Sequence, residues 1–149
     1  MEQKNIKLEQ AFPLIKEKLD CGGEVTFGPK GTSMLPLIVQ GRDSVTRVSP
    51  PKKLKKYDLP LYRRKTGQFV LHRVVKVNKD GTYTMSGDNQ WFNESGVEHS
   101  DIIAIVNSIK HDGKVIKSSS FKYKCYCRGI VFYRRARKLA SRVKHKLFK

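Results

Sequence analysis

The sequence predicts a mainly β fold with a helix at each end, and three observations carry that prediction. After Glu24 the apolar residues change from helical spacing to alternation. The alternating runs are then separated by tight-turn signatures, among them Asp80-Gly81 and Asp112-Gly113. Finally, residues 121–149 hold eleven Lys and Arg and no acidic residue, with apolar positions again at helical steps. At 149 residues the chain fits one domain with a core and short extensions. Its expected divisions are an amphipathic helix in 1–22, a β domain in 23–118 and a basic amphipathic tail in 119–149.

Residues 4–20 read as the first helix, because Leu8, Phe12, Ile15 and Leu19 recur at steps of four, three and four. Pro13 predicts a kink or a later start, and Cys21-Gly22-Gly23 predicts the stop. Glu24–Phe27 and Ser44–Val48 read as short strands on either side of the loop that contains Ser33. Pro50–Lys56 is a basic connection, best read as a solvated loop. Leu59–Arg63 and Gln68–Val77 form a hairpin about Arg64-Lys65-Thr66-Gly67. Asn78-Lys79-Asp80-Gly81 turns the chain into Thr82–Met85. Ile102–Lys110 and Lys114–Ile116 form a third hairpin. From about Ile130, Phe132, Ala136, Leu139, Val143 and Leu147 predict a basic amphipathic helix.

Net charge is +18, with 31 Lys and Arg against 13 Asp and Glu, which favours an anionic partner. No apolar run is long enough for a membrane span, and the first twenty residues lack the continuous apolar segment of a secretory leader. The expected location is the cytoplasm, with peripheral contact to an anionic membrane through 121–149 as an extension of that reading. Nucleic acid fits the apolar face of this tail less well than lipid does. Cys21, Cys125 and Cys127 make neither a disulfide framework nor a zinc-ligand spacing, so no metal and no cofactor are expected.

The chemistry-bearing stretches occur in the order Gly31-Thr32-Ser33-Met34-Leu35-Pro36, then Val70-Leu71-His72-Arg73-Val74-Val75-Lys76, then Ser86-Gly87-Asp88-Asn89-Gln90. They offer a hydroxyl, an imidazole and a carboxylate. A serine hydroxyl becomes a useful nucleophile only when a base takes its proton, and a carboxylate can fix the tautomer of that base. Taken singly, Ser33 could be a turn serine, His72 a core histidine and Asp88 an Asx-turn residue. Asp43, Asp58 and Asp101 read as structural or turn positions, and His99, His111 and His145 as surface residues.

These motifs resemble those of the superfamily that contains the type I signal peptidases and the self-cleaving SOS repressors, the S24/S26 peptidases. Gly31–Pro36 resembles its serine box, His72-Arg73-Val74 its base-bearing strand, and Gly87-Asp88-Asn89 its Gly-Asp-Asn box. Lys56-Tyr57-Asp58-Leu59-Pro60-Leu61-Tyr62 resembles an intervening strand, with Tyr-Asp where Gly-Asp is usual. The similarity runs from about Gly23 to Val106. It implies a signal-peptidase-like β fold and a serine endopeptidase that cuts extended leader-type peptides after small residues. Histidine at position 72 matches the archaeal and endoplasmic-reticulum pattern rather than the bacterial Ser–Lys dyad. Ser33 is then the nucleophile, His72 the base and Asp88 the orienting acid. Glu94 is the alternative acid, and Lys76 is a lower-ranked base. The oxyanion donors would come from the backbone of Ser33 and from Thr32, because Gly31 stands where some relatives carry a serine hydroxyl. A peptide or protein substrate is implied. The competing readings are a non-catalytic member that binds peptide, membrane or nucleic acid, and self-cleavage near Cys21-Gly22-Gly23.

Overall fold

The computed structural model describes residues 8–148. Its first helix, α1 (Leu8–Asp20), ends as the glycine pair requires. Gly22 takes φ +77°, its N–H donates to the Leu19 carbonyl, and Gly23 N–H reaches the Lys18 carbonyl. These two bonds satisfy carbonyls that the helix end would otherwise leave unpaired. Pro13 lies inside α1 and supplies no N–H to the Glu9 carbonyl. Residues 4–7 of the expected helix fall outside the described residues.

Among the described residues nine strands follow: β1 (Val25–Phe27), β2 (Ser44–Val48), β3 (Pro60–Arg63), β4 (Phe69–Leu71), β5 (Arg73–Val77), β6 (Tyr83–Ser86), β7 (Glu94–Val97), β8 (Ile102–His111) and β9 (Lys114–Lys117). They form two antiparallel sheets curled into a half-barrel. The larger sheet runs β1-β2-β8-β3-β4, with β9 also on β8. β8 is its long central strand. It pairs with β2 along one edge, and with β3 and β9 along the other. The smaller sheet is β5-β6-β7. The three hairpin turns expected between these strands are all present.

Alternation along the strands gives the larger sheet an apolar layer on each face. Leu61, Leu71, Ala104 and Ile109 join Leu19 and the serine-loop residues Met34, Leu37 and Ile38 in one cluster. Tyr62, Val70 and Ile102 join Val74, Tyr83 and Met85 of the smaller sheet in the other. Phe12 of α1 packs on Phe69, with ring centroids 5.3 Å apart.

Three expectations are corrected. Gln68–Val77 is not one strand: it breaks at His72, with β4 in the larger sheet and β5 in the smaller. β7 is an additional strand, and it begins at Glu94. The last helix, α2 (Phe121–Leu147), starts nine residues earlier than its exposed apolar spacing suggests. Ser120 caps it by accepting from Tyr123 N–H. Its buried face is Tyr123, Cys127 and Val131, of which Tyr123 and Cys127 pack into the Leu19 cluster. Phe132, Leu139, Val143 and Leu147 instead point to solvent.

Candidate active site

The loop between β1 and β2 presents Ser33, which is half-buried and flanked by buried Met34 and exposed Thr32. Met34, Leu37 and Ile38 anchor the loop in the core. Gly31 has φ +94°, a left-handed conformation that side chains resist, and its N–H donates to Gln40 Oε1. Among the described residues, neither the Ser33 N–H nor the Thr32 N–H has an internal acceptor. Both are therefore available to an incoming carbonyl oxygen.

The Gly87–Gln90 turn closes on this loop. Asn89 N–H donates to the Ser33 carbonyl at 2.8 Å, and Asn89 Nδ2 donates to the Thr32 carbonyl. Gly87 is needed for the approach itself, since a Cβ there would lie 2.5 Å from the Ser33 carbonyl oxygen.

His72 occupies the point where the chain leaves one sheet for the other, and only 3% of it is exposed. Ser33, His72, Thr32, Asn89 and Gln90 line one cleft of about 350 Å³. Lys76 does not line it. Lys76 is exposed and borders a second cleft, together with Leu35, Pro36 and residues of α2.

The two carboxylates have different partners. Glu94 accepts from the Tyr62 hydroxyl at 2.7 Å and pairs with Arg64. The Tyr62 oxygen lies 3.4 Å from His72 Nδ1. With its proton donated to Glu94, that oxygen can only accept a hydrogen bond from Nδ1–H. This arrangement favours the tautomer with a free lone pair on Nε2. The expectation that Asp88 orients His72 finds no such hydrogen bond. Arg73 Nε and Nη2 donate to the two Asp88 oxygens at 2.7 and 2.8 Å, and Tyr126 donates to one of them. Arg73 also reaches Tyr123, Cys127 and the Tyr57 carbonyl. Asp88 thus ties β5 and the Gly87–Gln90 turn to α2.

The electrostatics follow from burial. Burial, then the positive charge of Arg64, lowers the His72 pKa from the usual 6.5 to about 4, although Glu94 and Asp88 both pull the other way. The imidazole is therefore neutral and able to accept a proton at neutral pH. Burial alone would raise the Glu94 carboxyl, but hydrogen bonds from Arg64 and Tyr62 outweigh it and the pKa falls. The Tyr62 hydroxyl is pushed up by burial and by Glu94, so it stays protonated.

Asp43, Asp58, Asp101, His99 and His111 sit in structural arrangements, while His145 is exposed. Asp43 accepts from Arg42, Val39 N–H, Asp112 N–H and His111, and Asp58 accepts from Lys55 N–H. Asp101 closes a capping box with Glu98, while His99 meets Tyr83. Tyr62 ends the strand motif Lys56–Tyr62, but neither it nor Arg64 carries a sequence signal for its place beside His72 and Glu94. No described helix is long and apolar enough to cross a membrane. No family model, curated protein or solved structure matches the chain.

Proposed function

We propose that the chain is a serine endopeptidase of the signal-peptidase-like S24/S26 type, acting on extended leader-type peptides. The observation that carries this reading is the shared cleft of Ser33 and His72, with the far nitrogen of His72 beside the Tyr62–Glu94 chain. Ser33 Oγ attacks the scissile carbonyl while its proton passes to His72 Nε2. The Ser33 N–H, assisted by Thr32, receives the oxyanion. The imidazolium gives its proton to the departing amine. Water, deprotonated by the same His72, then releases the acyl group from Ser33. Glu94, acting through Tyr62, is the orienting acid in this scheme. Asp88 contributes its negative charge at longer range and holds Arg73. The test is turnover of a small-residue leader library by the wild type, Ser33→Ala and His72→Ala. Loss in both variants supports the reading, whereas cleavage that persists in Ser33→Ala ends it.

A second reading concerns α2, whose exposed Phe132, Leu139, Val143 and Leu147 accompany an acid-free run of cations. That combination suits the surface of an anionic bilayer, whether or not the cleft is catalytic. Cosedimentation with anionic but not zwitterionic vesicles tests it.

A further inference from the structure

A second cleft, of about 220 Å³, lies beside the first. The two share Asn89 and Gln90 as lining residues, and Leu35 and Pro36, which follow Ser33 closely in the chain, border the second. An extended peptide laid across Ser33 therefore has neighbouring residues within reach of it.

The chemistry of this second cleft is cationic. Lys76, Arg134, Arg135, Arg137 and Lys138 all line it, and none forms a salt bridge among the described residues. Arg134 spends its bonds on neutral acceptors, the Gln90 carbonyl and Ser86 Oγ. The only carboxylate in the lining, Asp88, has both oxygens occupied by Arg73. Arg137 sits over the exposed Trp91 ring, 4.0 Å from its centroid. The stacking positions that guanidinium while leaving its hydrogen-bonding edge free. Like charges crowded along one wall repel one another, so an anionic occupant relieves that repulsion as well as pairing with the arginines.

We infer that this cleft is a specificity subsite for acidic side chains on the substrate, Asp or Glu flanking the scissile bond. A substrate with acidic residues on one side of a small-residue cleavage point fits both clefts at once. The inference rests on the peptidase reading for its substrate, but it can be tested without turnover.

Trp91 is the only tryptophan in the chain, so its emission reports occupancy of the cleft directly. The experiment titrates full-length Ser33→Ala with small-residue peptides carrying Asp and Glu on either the amino or the carboxyl side, against versions with Asn and Gln. One acidic series is expected to bind about tenfold or more tighter than its amide counterpart. The Trp91 emission should change, and the preference should shrink in about 0.3 M salt. Arg137→Gln with Lys138→Gln, both at exposed positions, removes two of the five lining cations and should shrink the preference for the acidic peptide over its amide counterpart. Equal affinity for acidic and amide peptides overturns the proposal. So does displacement of the acidic peptide by an oligonucleotide or by phosphatidylserine vesicles at far lower concentration. The two readings fail separately. Acidic preference in a protein whose wild type never cleaves the bound peptide leaves the subsite standing. Cleavage that ignores acidic residues removes the subsite alone.

Discussion

His72 and Arg73 are neighbours in the chain, yet they serve two different networks. At His72 the chain switches sheets, and the imidazole lies on the cleft, beside Tyr62 and, through it, Glu94. At Arg73 the side chain is fully buried and binds Asp88, Tyr123 and Cys127. One network places a weakly held, neutral imidazole at a cleft. The other locks a charged pair into the interior, where burial lowers the Arg73 pKa but the Asp88 carboxylate outweighs it and holds the guanidinium protonated. The difference teaches that a carboxylate close to a histidine need not orient it. What decides is which donor claims its oxygens first, and a bidentate arginine outcompetes a single imidazole N–H.

The largest effect expected from breaking this contrast is on stability. Asp88→Ala leaves Arg73 charged and unpaired in the interior and should cost about 3–5 kcal/mol of folding free energy, read as a shift in urea midpoint. Gly87→Ala comes next. Its methyl group forces the turn away from the Ser33 carbonyl, costing about 1–3 kcal/mol and most of the turnover. Glu94→Gln should barely alter the urea midpoint, since its partly exposed ion pair with Arg64 contributes about 1 kcal/mol or less, whereas Tyr62→Phe removes a buried hydrogen bond to a carboxylate and should cost about 1.5–3 kcal/mol. They should lower turnover about tenfold, or about 1.4 kcal/mol in the barrier. If Asp88→Asn loses only activity and Glu94→Gln only stability, the roles assigned to the two networks are reversed.

The smallest effect is one of position on the pH axis. Because the folded pKa of His72 is depressed, the acid limb of kcat/KM should have its midpoint near 4 rather than near the usual 6.5. The same depression has a sign for stability. The unfolded chain takes up a proton first, so stability is full above about pH 6.5 and is lost as pH falls from there toward 4. A limb centred near 6.5 would place His72 in a wetter site than the one described.

The strand hairpins were legible because Asp-Gly and Gly-containing turns are local signals, as was the Gly22-Gly23 helix stop. The break at His72 was not. Gln68–Val77 keeps its strand character throughout, and periodicity does not record a change of pairing partner. β7 was missed because Glu94-Ser95-Gly96-Val97 has almost no apolar alternation. In α2 the apolar stripe that stands out, Phe132 to Leu147, is the exposed one. The buried face uses Tyr123 and Cys127, whose polar atoms meet Arg73 and do not read as a core stripe. Ser33, His72 and Asp88 could be picked out by motif order. Which carboxylate lies next to His72 depends on Tyr62, ten residues from His72 and thirty-two from Glu94, and no local pattern encodes that.

The most direct measurement is labelling of the protein at pH 5 to 8 by a fluorophosphonate probe, which phosphonylates an activated serine with loss of fluoride. The account predicts stoichiometric labelling of the wild type at Ser33, none in Ser33→Ala, and a rate reduced about a thousandfold or more in His72→Ala. Labelling that proceeds as fast in His72→Ala as in the wild type, or that maps to a serine other than Ser33, would contradict it.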